Sequence, residues 1–351
     1  MQFPALVPYG WNGRWAALFS SLDLGGRATD PARPAPAPGR VVRHDGTGLL
    51  VVLPDRVRSV PCRRSVDPPP TVGDWVVVAD GAVGAVLDRT SLLTRRAAGV
   101  DAPQPLAANV DLVLVACGLD RPVKAGRIDR TIALAWDAGA VPLVVLTKAD
   151  LSPDAAARAD EVQAAHPGID VVATSATTGD GIDELRCAIH DRTVVLIGES
   201  GAGKSSLTNA LAAGEVAATG AVRSGDAKGR HTTSARQAHV LPGGGVLIDT
   251  PGLRAVGLWA DTDAVAATFP DIDGLAAGCR FNDCRHDREP GCAVLAAVDA
   301  DALAAERLAA WRALEREAAA LARRADPHEQ KQWGRQFSRM AKEAQRRKGR
   351  P

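Results

Sequence analysis

The chain is poor in aromatic residues and has almost no excess of charge of either sign. Phe, Trp and Tyr make up 4% of its 351 residues, with a single Tyr, and 42 Lys and Arg stand against 41 Asp and Glu. The net charge of +1 leaves whole-molecule electrostatics silent about partners. No apolar run reaches the ~18 residues of a membrane helix, so no membrane partner is expected. The opening Met1-Gln-Phe-Pro-Ala-Leu6 lacks a basic stretch followed by a long apolar core, so no secretory leader is expected. Cysteine is scarce too. Cys62, Cys117 and Cys187 are scattered, which argues against a disulfide framework. Cys279, Cys284 and Cys292 crowd together, which suits a metal site in a reducing cytoplasm. What is ample is apolar content, 46%, and a length with room for two or three cored domains.

Residues 1–38 read as a poorly patterned N-terminal extension. Within it Trp11, Trp15 and Phe19 recur at helical spacing and predict a short amphipathic helix docked on a neighbouring domain. Ala28 to Gly39, rich in Pro and Ala, reads as a loose linker. Over 40–100 the pattern changes to short β runs: Leu49–Leu53, Trp75–Val78 and Val83–Leu87. The turn signals Asp45-Gly46, Pro68-Pro-Pro70 and Asp80-Gly81 separate them. That predicts a small OB-type β-barrel. Arg40, Arg43, Arg56, Arg58, Arg63, Arg64, Arg89, Arg95 and Arg96 outnumber the local Asp residues. They suit an RNA backbone or a solvated surface equally well. Trp75 is the only aromatic of the region, so base stacking has no support there.

Residues 104–258 alternate strand and helix, which predicts an α/β domain with a mostly parallel sheet. Asp111–Val115, Leu143–Leu146 and Asp170–Ala173 read as strands. Arg127–Ala138, ended by Gly139, and the stretch marked by Ile182, Leu185 and Ile189 read as helices. Then comes Thr193–Ile197, a buried strand, followed by Gly198-Glu-Ser-Gly-Ala-Gly-Lys-Ser205 and the helix opening at Ser206. This fits G-x-x-x-x-G-K-[ST] in its required strand–loop–helix context. A triphosphate needs many donors around its oxygens. Backbone N–H groups of Gly198, Glu199, Ser200, Gly201, Ala202, Gly203 and Ser206 supply them where the chain bends tightly, and the helix N-terminus adds its positive end. Lys204 reaches the β- and γ-phosphates as a catalytic cation, and the Ser205 hydroxyl takes Mg²⁺.

Three further stretches choose the base and the switch. Thr147-Lys-Ala-Asp150 sits at the C-terminal end of a strand and resembles the [NT]-K-x-D motif of GTPases. The Asp150 carboxylate can accept from guanine N1–H and the N2 amine, whereas adenine offers an acceptor at N1 and no amine. Sites built on such pairs reject the mispaired analogue by roughly 10⁴-fold. Lys148 lays its stem along the base, with Ala149 between. Thr147 stands where Asn is commoner. Ser175 and Ala176 follow the next strand as a second base-contacting loop. Asp249-Thr-Pro-Gly252 resembles the Mg²⁺ and γ-phosphate switch, with Asp249 holding Mg²⁺ through water and the Gly252 N–H sensing the γ-phosphate. In Gly229-Arg-His-Thr-Thr233, Thr232 or Thr233 closes on Mg²⁺. Leu253 stands where many GTPases place a water-orienting Gln, and His231 is the candidate in its stead. The base motifs precede the phosphate loop, the reverse of the ordinary order. A circular permutation explains this.

Residues 259–351 read as a zinc-binding, helical domain with a basic tail. Cys279-x₄-Cys284-x-His286-x₅-Cys292 offers three thiolates and one imidazole, which fill a tetrahedral Zn²⁺ and make it structural. Trp311, Leu314, Ala318, Leu321 and Ala325 line one helix face. The tail, Lys331 to Arg350, holds eight basic residues against Glu343 and suits an RNA backbone or a solvated end.

Permuted GTPase, barrel and Cys-x₄-Cys-x-His-x₅-Cys together resemble the ribosome small-subunit-dependent GTPase A family over roughly residues 40–300. The resemblance implies a cytoplasmic, monomeric, late-acting factor in 30S maturation. It would bind GTP, GDP and rRNA, with hydrolysis stimulated by the small subunit and coupled to release. The alternatives are a non-catalytic GTP-dependent RNA-binding regulator and an ATP-dependent P-loop enzyme with a zinc module.

Overall fold

The computed structural model describes residues 3–22, 35–44, 48–96, 103–214, 236–250 and 262–325. Two compact units emerge: Met1–Arg95 with Pro105–Val256, and Arg96–Gln104 with Gly257–Pro351.

The first unit opens with a short 3-10 turn, Pro4–Tyr9, and helix α1 (Gly13–Ser21), whose N-cap Asn12 accepts from the Arg14 and Trp15 amides at 3.0 and 3.4 Å. Leu6, Trp11, Trp15 and Phe19 are buried in the main core. Trp11 meets Trp75 edge-on with ring centroids 4.9 Å apart. The aromatic spacing thus forms the docked helix that the sequence predicts.

Strands β1 (Ala37–His44), β2 (Leu49–Val52), β3 (Val57–Val60), β4 (Trp75–Ala79) and β5 (Ala82–Val86) pair antiparallel in the order β3-β2-β1-β4-β5. A parallel bridge from Cys62 to Val83 joins the two ends and closes a barrel. Val41, Leu49, Val51, Val60, Val76 and Val83 fill it. Ala37, Pro38 and Gly39, read from sequence as linker, are paired with Val76–Val78 inside β1. A Cβ on Gly39 would lie 2.5 Å from Val51 Cγ1, so the barrel interior requires glycine there. Composition alone mistook a packing demand for looseness.

Next come β6 (Leu92–Arg96) and β7 (Pro103–Ala108), a separate two-stranded ladder. The remaining elements are β8 (Leu112–Gly118), α2 (Ala125–Asp137), β9 (Val141–Thr147), α3 (Ala155–Ala165), β10 (Asp170–Ala173), α4 (Ile182–Ile189), β11 (Thr193–Gly198), α5 (Lys204–Ala212), β12 (Arg236–Val240) and β13 (Val246–Asp249). Their sheet order is β10-β9-β8-β11-β13-β12, parallel except for β12. Near-continuous Val, Leu and Ile in β8, β9 and β11 reflect burial on both faces. The chain steps outward from β8 to β9 to β10, then returns to β11 on the other side of β8. Ligands of open parallel sheets bind at such a reversal, beyond the strand C-termini. β12 also pairs with β1 at Arg43–Gln237 and His44–Arg236, so barrel and α/β sheet form one continuous sheet of eleven strands.

The second unit contains α6 (Thr262–Thr268), α7 (Pro270–Ala276), α8 (Ala293–Asp299) and α9 (Ala305–Ala325). Arg307 on α9 grips Asp271 with bonds of 2.7 and 2.8 Å and lies over the Phe269 ring.

Candidate functional site

The phosphate loop is folded tightly against its neighbour strand. A Cβ on Gly198 would stand 2.3 Å from the Ala116 carbonyl oxygen, so only glycine lets the loop leave β11 at this place. Gly203 has φ +76° and is the N-cap of α5, with no side chain capping the helix. The first amides of α5 are therefore open to an anion. Lys204 Nζ donates to the Gly198 and Glu199 carbonyls at 2.7 and 2.6 Å, lying along the inside of the loop. Glu199 pairs with Arg127 of α2.

Thr147, the unusual first residue of the base motif, is fully employed. Its hydroxyl donates to the Ala202 carbonyl at 2.7 Å and lies 3.3 Å from the Cys117 carbonyl oxygen. A residue at the end of β9 thereby holds the phosphate loop after β11. The neighbouring loops are tied in as well: the Leu119 amide donates to the Thr147 carbonyl, and the Ala149 amide to the Thr174 carbonyl. Ser175 is fully buried and donates its hydroxyl to Asp150 Oδ1 at 2.6 Å. It accepts from the Thr177 and Thr178 amides, which fixes its rotamer. Asp150 is exposed, with one oxygen aimed by Ser175. Lys148, in a left-handed conformation at φ +60°, reaches Asp120 Oδ2 at 2.8 Å.

Asp249 ends β13. Burial pushes its carboxyl above the usual carboxylate range, against the pull of His239 and of Lys204, so the switch carboxylate and the loop ammonium share one electrostatic neighbourhood. The structure thus brings Thr147 to Asp150, Ser175, Ala176, Gly198 to Ser206 and Asp249 to one end of the sheet. His231, Thr232, Thr233, Gly252 and Leu253, and the basic tail from Lys331, lie outside the described residues.

Sequence reasoning passed over Asp120 and Arg121. They lie in the loop after β8, directly at the strand-order reversal. The available signal was their place just past a predicted parallel strand.

One basic residue changes role. Arg40, read with the barrel arginines as a candidate RNA contact, is 1% exposed. It donates to the Gly73 carbonyl, the Tyr9 carbonyl and Thr193 Oγ1, and packs over Trp75. It staples the N-terminal turn, barrel and β11 together and cannot reach a polynucleotide. Arg89 likewise pairs with buried Asp74 at 2.8 Å.

In the second unit, one ligand atom each from Cys279, Cys284, His286 and Cys292 lies within 4.8 Å of the others. Cys279 Sγ is 3.8 Å from Cys292 Sγ, and His286 Nδ1 is 3.6 and 3.4 Å from those sulfurs. Tetrahedral Zn²⁺ with ordinary Zn–S and Zn–N bonds requires S···S near ~3.8 Å and S···N near ~3.6 Å. The donor set fits zinc. Cys292 caps α8, accepting from the Leu295 amide, and His286 packs on Trp311 at 5.2 Å. Glu289 closes the loop by accepting from the amides of Arg285, Asp287 and Arg288.

A family model described as RsgA GTPase matches residues 86–259. The Small ribosomal subunit biogenesis GTPase RsgA of Streptomyces avermitilis is 45% identical over 324 residues, spanning 89% of this chain and 85% of that protein. The chain belongs to the RsgA GTPase family. The RsgA of Opitutus terrae is 48% identical over 275 residues, 74% of this chain and 75% of that protein. Among solved structures, YjeQ from Thermotoga maritima superposes with a TM-score of 0.61 at 25% identity, covering 81% of this chain and 98% of that one. YloQ, described as a circularly permuted GTPase, gives 0.59 at 24% identity, covering 82% and 95%, and shows the same fold. The permuted motif order therefore belongs to an RsgA-family fold. Among the described residues, no helix is long and apolar enough to cross a membrane.

Proposed function

We propose that this RsgA-family chain hydrolyses GTP to GDP and phosphate as a late maturation factor of the 30S ribosomal subunit, with turnover stimulated by the subunit and coupled to release. The observation that carries this reading is the Thr147–Ala202 hydrogen bond, with Ser175 aiming Asp150. It supports one nucleotide bridging a base loop and a phosphate loop that are far apart in sequence.

In this reading Asp150 accepts from guanine N1–H and N2, Lys148 flanks the base, and Ala176 contributes an N–H to O6. The amides of Gly198 to Ser206 cradle the phosphates. Lys204 exchanges its two carbonyl partners for phosphate oxygens. Ser205, Asp249 and Thr232 or Thr233 would hold Mg²⁺, which would supply positive charge to the phosphates. Gly252 senses the γ-phosphate, and His231 positions the attacking water. The barrel, whose strand order suits an OB-type fold, and the zinc-built second unit serve as rRNA-binding modules. The zinc is structural because four protein ligands leave no position for water. The protein acts as a cytoplasmic monomer.

Phosphate release from GTP, measured with and without purified small subunits, tests the proposal. Slow release alone and many-fold faster release with the subunit is the expected result. No release in either arm would leave a GTP-dependent RNA-binding regulator. ATP competing as well as GTP would defeat the base assignment. Asp150→Asn should move preference from GTP to XTP, because an amide can donate to the xanthine 2-oxygen.

A further inference from the structure

Two residues without an assigned role sit on the rim of this site. The loop after β8 carries Asp120 and Arg121. Asp120 is shared by two cations: Lys148 Nζ at 2.8 Å, and Arg121 through Nε at 3.3 Å and Nη2 at 3.0 Å. Arg121 is placed against the phosphate loop itself. A Cβ on Gly201 would lie 3.0 Å from Arg121 Nη2, and one on Gly203 would lie 3.8 Å from Lys148 Cε. The guanidinium therefore covers Gly201 as the lysine stem covers Gly203. The Asp120 carboxyl is held down to about 2 by Arg121 first and Lys148 second, so it is ionised throughout the physiological range.

An ionised carboxylate beside a triphosphate is unfavourable unless cations outnumber it. Here two cations meet one anion, leaving a net positive rim. Asp120 occupies Nε and Nη2 of Arg121, while Nη1 has no hydrogen bond among the described residues. The Arg121 side chain is 43% exposed, and its guanidinium lies against Gly201 of the phosphate loop. Guanidinium forks match phosphate oxygens, and such charge-assisted bonds are among the strong ones.

We propose that Arg121 contacts the β- or γ-phosphate of the bound nucleotide. Asp120 is its positioning residue, which also fixes Lys148 beside the base. Arriving phosphate oxygens take over the free Nη1 face, and Asp120 keeps hold of the other side. Charge recognition and base recognition are thereby joined through one carboxylate. The inference rests on the nucleotide site proposed above.

The test is competition of a fluorescent GDP with GTP, GDP and GMP on the full chain. Arg121→Ala should weaken GTP by about tenfold, as for loss of one charge-assisted hydrogen bond, weaken GDP equally where the contact is to the β-phosphate and not where it is to the γ-phosphate, and leave GMP nearly unchanged. Arg121→Lys should restore part of the loss by keeping the charge. Asp120→Asn should narrow the preference for GTP over ATP, because Lys148 loses its anchor, a readout that loss of stability alone would not move. Unchanged GTP affinity in Arg121→Ala, or equal losses for GMP and GTP, overturns the proposal. Failure of the underlying reading is separate: wild-type protein that does not prefer GTP to ATP would defeat the site whatever Arg121 does.

Discussion

Thr147 and Arg40 show what single side chains contribute, and each supports a prediction. Thr147→Val keeps the shape of the side chain and removes its two contacts on the Ala202 and Cys117 carbonyls. A net hydrogen bond is worth about 1 kcal/mol, so GTP affinity should fall roughly fivefold, measured by titration calorimetry, while the melting midpoint moves little. Arg40→Met removes the guanidinium donors to the Tyr9 carbonyl and Thr193 Oγ1 and leaves the Gly73 carbonyl to Asn109 alone, at a side chain whose pKa burial lowers to about 10. Leaving buried acceptors unmet should cost roughly 3 kcal/mol of stability, read as a lower urea midpoint. The two residues also differ in how legible they were. Thr147 sat in a motif whose position announced it, though its partner across 55 residues did not. Arg40 looked like one more surface cation, because charge counts say nothing about burial.

At the scale of elements, the legible pieces were those with a strong period or a motif. β11 and α5 followed from the phosphate loop, and α4 from Ile182, Leu185 and Ile189, all buried. α3 went unread because its Ala-rich sequence buries only Val162 and so has no apolar stripe. β3 was hidden because its residues are exposed or half-buried until Val60. β12 was also unread; its middle residue faces the core while His239 is half-buried beside Asp249. Burial lowers the His239 pKa, and Asp249 only partly opposes this. The unfolded chain takes a proton near the ordinary histidine value of ~6.5 while the folded chain resists it. The stabilising contribution is therefore full above that pH and erodes as pH falls through it. Thermal melts at pH 7.5 and 5.5 should show wild type losing more on acidification than His239→Gln. Equal losses would remove His239 from the pH response.

For the whole molecule, the sequence carried the permutation through motif order, and the Cys279, Cys284, His286 and Cys292 cluster through spacing. It did not carry the joining of barrel and α/β sheet, because strand partners distant in sequence leave no local trace. The second unit makes its own prediction. Its helices α7 and α8 are seven residues each, too short to persist unaided, and the Cys279–Cys292 loop lies between them. A strong chelator should loosen this unit, seen as faster amide exchange over 279–292, while GTP binding to the first unit persists. Loss of both together would mean that the ion supports more than its own loop.

The two residue pairs that join β1 to β12 also have a protective consequence. A fragment starting near residue 104 would retain every nucleotide motif, yet Arg236 and Gln237 would lose their β1 partners and leave that whole margin of β12 bare. Such margins recruit copies of themselves. The fragment should scatter light and precipitate at concentrations where the intact chain stays clear, so for this protein the barrel is also a solubility device.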